Sequence, residues 1–156
     1  MTDAPGSDDG LESSRPPERF RFVREWVLHD TLELAGVRRE LLAAITSHAP
    51  LPSEALVGVP ERMILVASEL ATNALTHGLP PTFVRLSSDG HEFLLDVADH
   101  DLSTEPQVAE GRPLGQGGFG LRIARRLSQE VGWYATATTK HVWATFAAPA
   151  SGGAGS

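Results

Sequence analysis

Three groups of residues in this chain have types and spacings that suit chemistry. The first is Glu69, Asn73 and His77, set four apart. In a helix such residues stack along one face, so a carboxylate and a carboxamide there reach a shared ligand. They offer only oxygen and nitrogen donors, which suits a hard cation. Mg²⁺ keeps several waters and uses few protein ligands beside substrate phosphates, so one Asn oxygen suffices. His77 has no second His or Cys at metal-ligand spacing; beside Gly78 it reads as a partner for the negative end of the helix dipole.

The second group is glycine. Gly111, Gly115, Gly117, Gly118 and Gly120 fall within ten residues, just before an apolar-periodic stretch. Bare backbone lets N–H groups approach an anion closely, and a helix start adds unpaired donors and a favourable dipole. Gly115-Gln116-Gly117-Gly118-Phe119-Gly120 has the letters of a dinucleotide fingerprint, yet no strand leads directly into it and no acidic residue follows about twenty positions on. A Walker A loop fails too, because Gly120 is followed by Leu121 and Arg122 rather than Lys and Ser or Thr. Phosphate cradling survives both exclusions. The third group is Asp99, which closes an apolar strand and, taken alone, reads as a turn or capping residue.

The surrounding pattern supplies elements to hold these groups. Phe20 to Leu28 partly alternates and predicts a strand. Leu34, Val37, Leu41, Leu42 and Ile45 predict a helix over 34–49, stopped by Pro50 and Pro52. Pro60 opens a second helix, in which Met63, Ile64, Ala67, Leu70, Ala71, Ala74 and Leu75 form one arc for a sheet to cover. Glu69, Asn73 and His77 lie opposite, where Leu65 and Val66 imply a further covering element. Thr82–Ser87 and Glu92–Ala98 predict a hairpin through Ser88-Asp89-Gly90. A loop rich in Pro and Gly over 100–119 has the length of a functional lid. Helix follows over Leu121–Ser128, then strands over Trp133–Thr138 and His141–Phe146. The order β-α-α-β-β-α-β-β predicts an α+β fold, a two-layer α/β sandwich whose mixed, mostly antiparallel sheet carries its helices on one face.

The chain has 156 residues, which fits one domain, here 19–148. Segments 1–18 and 149–156 are polar and rich in Pro, Gly and Ser, so neither is expected to order. Cysteine is absent, which excludes disulfides and thiolate metal sites and suits a reducing compartment, with the cytoplasm as the expectation. No secretory start or membrane-spanning run is present, so no membrane role is expected. A net charge of −7 argues against direct nucleic-acid binding.

Glu69-Leu70-Ala71-Thr72-Asn73-Ala74, Asp99 after a strand, and Gly118-Phe119-Gly120-Leu121 together resemble the GHKL family of ATP-binding domains. Within it the likeness is closest to the anti-sigma factor serine/threonine-protein kinases, and it covers roughly residues 20 to 147. The resemblance implies the Bergerat-type ATP-binding fold, with ATP and Mg²⁺ as cofactors. It implies that Asn73 binds Mg²⁺, that Glu69 acts as or assists the general base, and that Asp99 accepts the adenine amino group. Gly118 and Gly120 would shape a lid over the phosphates, and Leu121 would begin the helix behind it. The implied activity is phosphorylation of an anti-anti-sigma protein, the implied target a sequestered sigma factor, and the usual state a homodimer. The alternative is a nucleotide-gated binding module of the same fold without phosphotransfer. Two departures stand out. The family's D-x-G-x-G is here Asp99-His100-Asp101-Leu102-Ser103, which stiffens the adenine-side turn. Near Thr139-Lys140-His141-Val142, His141 takes the position of the family's threonine, a secondary adenine contact.

Overall fold

The computed structural model describes residues 12–48, 58–103 and 119–147. The described elements are β1 (Arg21–Leu28), a short 3-10 turn (Thr31–Glu33), α1 (Leu34–Ser47), α2 (Val59–His77), β2 (Thr82–Ser88), β3 (Glu92–Asp99), α3 (Phe119–Leu127), β4 (Glu130–Ala135) and β5 (Lys140–Ala147). The five strands form one sheet in the order β1-β2-β3-β5-β4, and every ladder is antiparallel. The expected order of elements and the two-layer α+β architecture are those of the structure.

Alternation along the strands decides which face is covered. Trp26 and Leu28, Val84 and Leu86, Phe93, Leu95 and Val97, and Ala144 and Phe146 point to one side and enter a single core with α1, α2 and α3. Asp96, Tyr134, His141 and Trp143 belong to the other side, which holds none of the three helices. Local signals set the ends. Asp30 caps the turn before α1, accepting from the Leu32 amide, while Glu33 reaches back to the backbone at His29 and Asp30. Gly58 precedes α2 with φ of 80°, and Pro60 sits in its first turn. The β2–β3 turn closes through Asp89, whose carboxylate accepts from the His91 and Glu92 amides, with Gly90 at φ of 93°.

Two expectations need correction. The first concerns β4, which runs over Glu130–Ala135 and not over Trp133–Thr138. The threonine run that reads as strand by propensity is a turn: the Thr136 hydroxyl accepts from the Thr138 and Thr139 amides, and Thr136 N–H donates to the Thr139 carbonyl. Gly132, a weak strand residue, sits inside β4 because a Cβ there would come within 2.5 Å of Ser14 Oγ and 2.8 Å of the Trp143 ring.

The second correction concerns the segment before β1. Composition led to the expectation of no order over 1–18 and 149–156; residues 1–11 and 149–156 lie outside the described residues, but Ser13 forms an isolated parallel bridge to Trp133. The Ser14 carbonyl accepts from Trp143 Nε1 at 2.7 Å, and the Arg15 guanidinium lies 4.6 Å from the Tyr134 ring centroid. Arg19 then binds Asp89 and Glu92 at the far end of the β2–β3 hairpin. The segment thus crosses the helix-free side from β4 toward β1. Backbone groups and two arginines hold it, and neither registers in a hydrophobicity pattern.

Candidate functional site

Helix α2 carries most of the chemistry, and its neighbours define two flanks. Ser68 accepts from Arg38 Nε of α1 at 2.8 Å, which marks the α1 side. Arg62, Glu69 and Asn73 fall within about 40° of one another around the helix, well away from Ser68. Arg62 lines a cavity of about 280 Å³ with Leu127 and Ser128, at the end of α3. The flank holding Glu69 and Asn73 is therefore the one that faces α3. That arrangement also covers Val66, which is fully buried, whereas Leu65 stays 44% exposed. Of the two apolar residues on the polar arc, only Val66 needed a cover.

α3 packs against α2. Since its last residue, Leu127, lies beside Arg62 near the start of α2, its first turn comes from the direction of α2's C-terminal half. α3 begins at Phe119, two residues before the expected Leu121, so Gly120 belongs to its first turn. The backbone amides of that turn have no intrahelical acceptor. The Leu121 side chain is buried in the core, where it anchors α3. Its contribution to an anion is confined to its backbone N–H. Gly118, like Gly111, Gly115 and Gly117, lies outside the described residues.

Asp99 sits at the other end of the same half of α2. It closes β3, is 6% exposed, and one of its oxygens accepts from the Asp101 amide at 2.7 Å. Gly78, which ends α2, packs directly on this carboxylate: a Cβ there would collide with Asp99 and with the Ala74 carbonyl oxygen. Here the requirement for glycine is close approach, since its φ is −96°. Burial pushes the Asp99 carboxyl above its ordinary value, offset in part by the Asp101 amide and by Lys140. The turn beyond lacks glycine and is fixed by its own side chains, the Asp101 carboxylate accepting from both Ser103 N–H at 2.9 Å and Ser103 Oγ.

His141, which stands where the family has the threonine of a secondary adenine contact, is turned away from Asp99. Its ring lies on the helix-free side, where Nδ1–H donates to Asp96 at 2.7 Å and the ring stacks on Tyr134 at 4.4 Å. The residue opposite Asp99 on β5 is Lys140. Sequence reading missed it because the last strand was expected to start one residue later, at His141. Thr82 was also missed. It is fully buried at the start of β2, and among the described residues its hydroxyl has no hydrogen-bond partner.

Nucleotide chemistry fits this set of groups. A buried carboxylate accepts from an exocyclic amine, and a helix start offers amide donors to phosphate. Among the described residues no cluster of three or more His, Asp or Glu could hold a metal ion. Asn73 would thus share Mg²⁺ with phosphate oxygens and water.

The family model for the histidine kinase-like ATPase domain matches residues 28–146. The chain belongs to that family. A histidine kinase-like ATPase domain is an ATP-binding domain of the GHKL type, and the match runs from the end of β1 into β5, taking in Glu69, Asn73, Asp99 and the whole glycine loop. No curated protein matches the chain closely enough to name as a relative. No helix among the described residues is long and apolar enough to cross a membrane.

Proposed function

We propose that this histidine kinase-like ATPase domain is an anti-sigma regulatory factor with serine/threonine-protein kinase activity. It would phosphorylate an anti-anti-sigma protein and sequester a sigma factor, in the cytoplasm and as a homodimer. One observation carries the nucleotide part of this reading: Glu69 and Asn73 share the α3-facing flank of α2, in the half of the helix that ends over Asp99. Asp99 takes the adenine amine, the first turn of α3 takes phosphate oxygens, and Asn73 holds Mg²⁺, which when bound supplies neutralisation of phosphate charge. Glu69 receives the proton of the attacking serine hydroxyl as its oxygen bonds to the γ-phosphorus and ADP departs.

A second reading, a binding module gated by ATP without phosphotransfer, is favoured by the turn after Asp99. Glycine is absent there, and the Asp101–Ser103 bonds hold the backbone in one form. Calorimetric titration with ATP and Mg²⁺, followed by incubation of radiolabelled ATP with candidate anti-anti-sigma proteins, separates the two. The kinase reading expects label on a partner serine, lost in Glu69→Gln while ATP binding persists. ATP binding without label on any partner favours the binding module, and a protein that binds no ATP refutes both.

A further inference from the structure

Thr82 presents a problem of hydrogen bonding. Its side chain is wholly inaccessible, and among the described residues its Oγ1 is a buried side-chain polar atom without a partner. Such groups are uncommon in native proteins, because the hydroxyl gives up its water and receives nothing in exchange. Valine has nearly the same shape, favours strands, and would remove the penalty. A hydroxyl at this position points to a partner that arrives later.

Strand register shows where that partner would be. Phe83 pairs with Ala98, so Thr82 and Asp99 are the next two residues facing each other across β2 and β3. Both share the side of the sheet that Val84 and Val97 use for the core. On the other side of Asp99 is Lys140, and above it is Gly78. Leu28 pairs with Thr82 from β1 and offers nothing polar in its side chain. Asp99 is thus the carboxylate nearest in register to the orphaned hydroxyl.

We propose that Thr82 is a positioning residue of the nucleobase subsite, its hydroxyl donating to Asp99, directly or through one buried water, when the carboxylate engages the exocyclic amine of adenine. The donation keeps Asp99 an ionised acceptor inside the protein. An ionised acceptor favours a base carrying an amine at that position over one carrying a carbonyl, whose oxygen would face the carboxylate. This inference rests on the nucleotide reading above and adds a residue to it.

The test uses the full chain and three proteins: wild type, Thr82→Val and Thr82→Ser. ATP and inosine triphosphate, which has a carbonyl in place of the amine, are titrated by calorimetry with Mg²⁺, and each free protein is melted. Thr82→Val should bind ATP about three- to tenfold more weakly and lose a comparable part of the preference for ATP over inosine triphosphate. Thr82→Ser should stay within about twofold of wild type, since it keeps the hydroxyl. The free Thr82→Val protein should melt no lower than wild type. ATP affinity and preference unchanged in Thr82→Val overturn the proposal. So does a lower melting temperature with equal losses for both nucleotides, which marks the hydroxyl as structural. Wild-type protein that binds neither nucleotide removes the nucleotide reading itself, and this inference with it.

Discussion

Asp96 and Asp99 stand three residues apart on β3 and are buried almost equally, at 7% and 6% exposed. The odd spacing sends them to opposite sides of the sheet, and their surroundings differ in kind. Asp96 has both oxygens answered: Tyr134 OH donates at 2.9 Å and His141 Nδ1–H at 2.7 Å. The network continues outward, with the Thr139 hydroxyl donating to His141 Nε2 at 2.8 Å. Burial and the nearby Asp96 carboxylate push the Tyr134 phenol above its ordinary value, so it remains a donor at all working pH. Asp99, by contrast, accepts from its own downstream backbone at Asp101, feels the charge of Lys140 and, among the described residues, neighbours an unanswered hydroxyl at Thr82. A buried carboxylate whose partners are complete serves the fold, and one left short of partners is available to a ligand.

Substitution at the two positions should therefore pull binding and stability apart. The largest expected effect is on ligand affinity: Asp99→Asn should weaken ATP on the order of a hundredfold, because it places an amide donor or a weaker acceptor against the base amine. Calorimetry with Mg–ATP measures this, and affinity within threefold of wild type would break the contrast. Asp96→Ala should instead destabilise the fold by about 3 kcal/mol, leaving Tyr134 and His141 without their common acceptor. Urea unfolding reads that loss, and the fraction still folded should bind ATP as wild type does.

The pH dependence sharpens the same comparison. With the native carboxyl of Asp99 held above 3.8, the native state binds more protons than the unfolded chain between those two values. Stability from this group accordingly falls as pH rises through that window, and the penalty is complete above the native value. The free Asp99→Asn protein should match wild type well below pH 3.8 and exceed it at neutral pH, as melts across pH will show. Equal melting temperatures at neutral pH would mean that Asp99 bears no burial penalty. The smallest effect lies on the Asp96 side: Trp143→Phe removes the bond to the Ser14 carbonyl and should cost about 1 kcal/mol, or roughly 3 °C. ATP affinity should not change.

Much of this was legible before any coordinates. Helical periodicity located α1 and α2, prolines and glycines marked their ends, and the Glu69/Asn73 row followed from spacing alone. The sheet was harder, because threonine supports either a strand or a turn. At Thr136–Thr139 the Thr136 hydroxyl accepts from turn amides, which ends β4 at Ala135, three residues before the expected Thr138, and no pattern in the sequence shows that Lys140 faces Asp99 or that His141 reaches Asp96. Gly132 carries no strand signal of its own, because the side chains that crowd it come from residues 14 and 143, far away in the chain. The docking of Ser13 to Arg15 was invisible for a similar reason, since main-chain pairing leaves no trace in hydropathy. Thr82 looked like an ordinary strand residue, and only the full set of its neighbours shows that none of them answers its hydroxyl.

The crossing segment also sets an order of events during synthesis. Ser14 and Trp143 are separated by 129 positions, so the opening residues of the domain have no docking place until the closing hairpin has been translated. At ordinary translation speeds that wait is on the order of ten seconds. Throughout it, the half-made sheet lacks the segment that crosses its helix-free side.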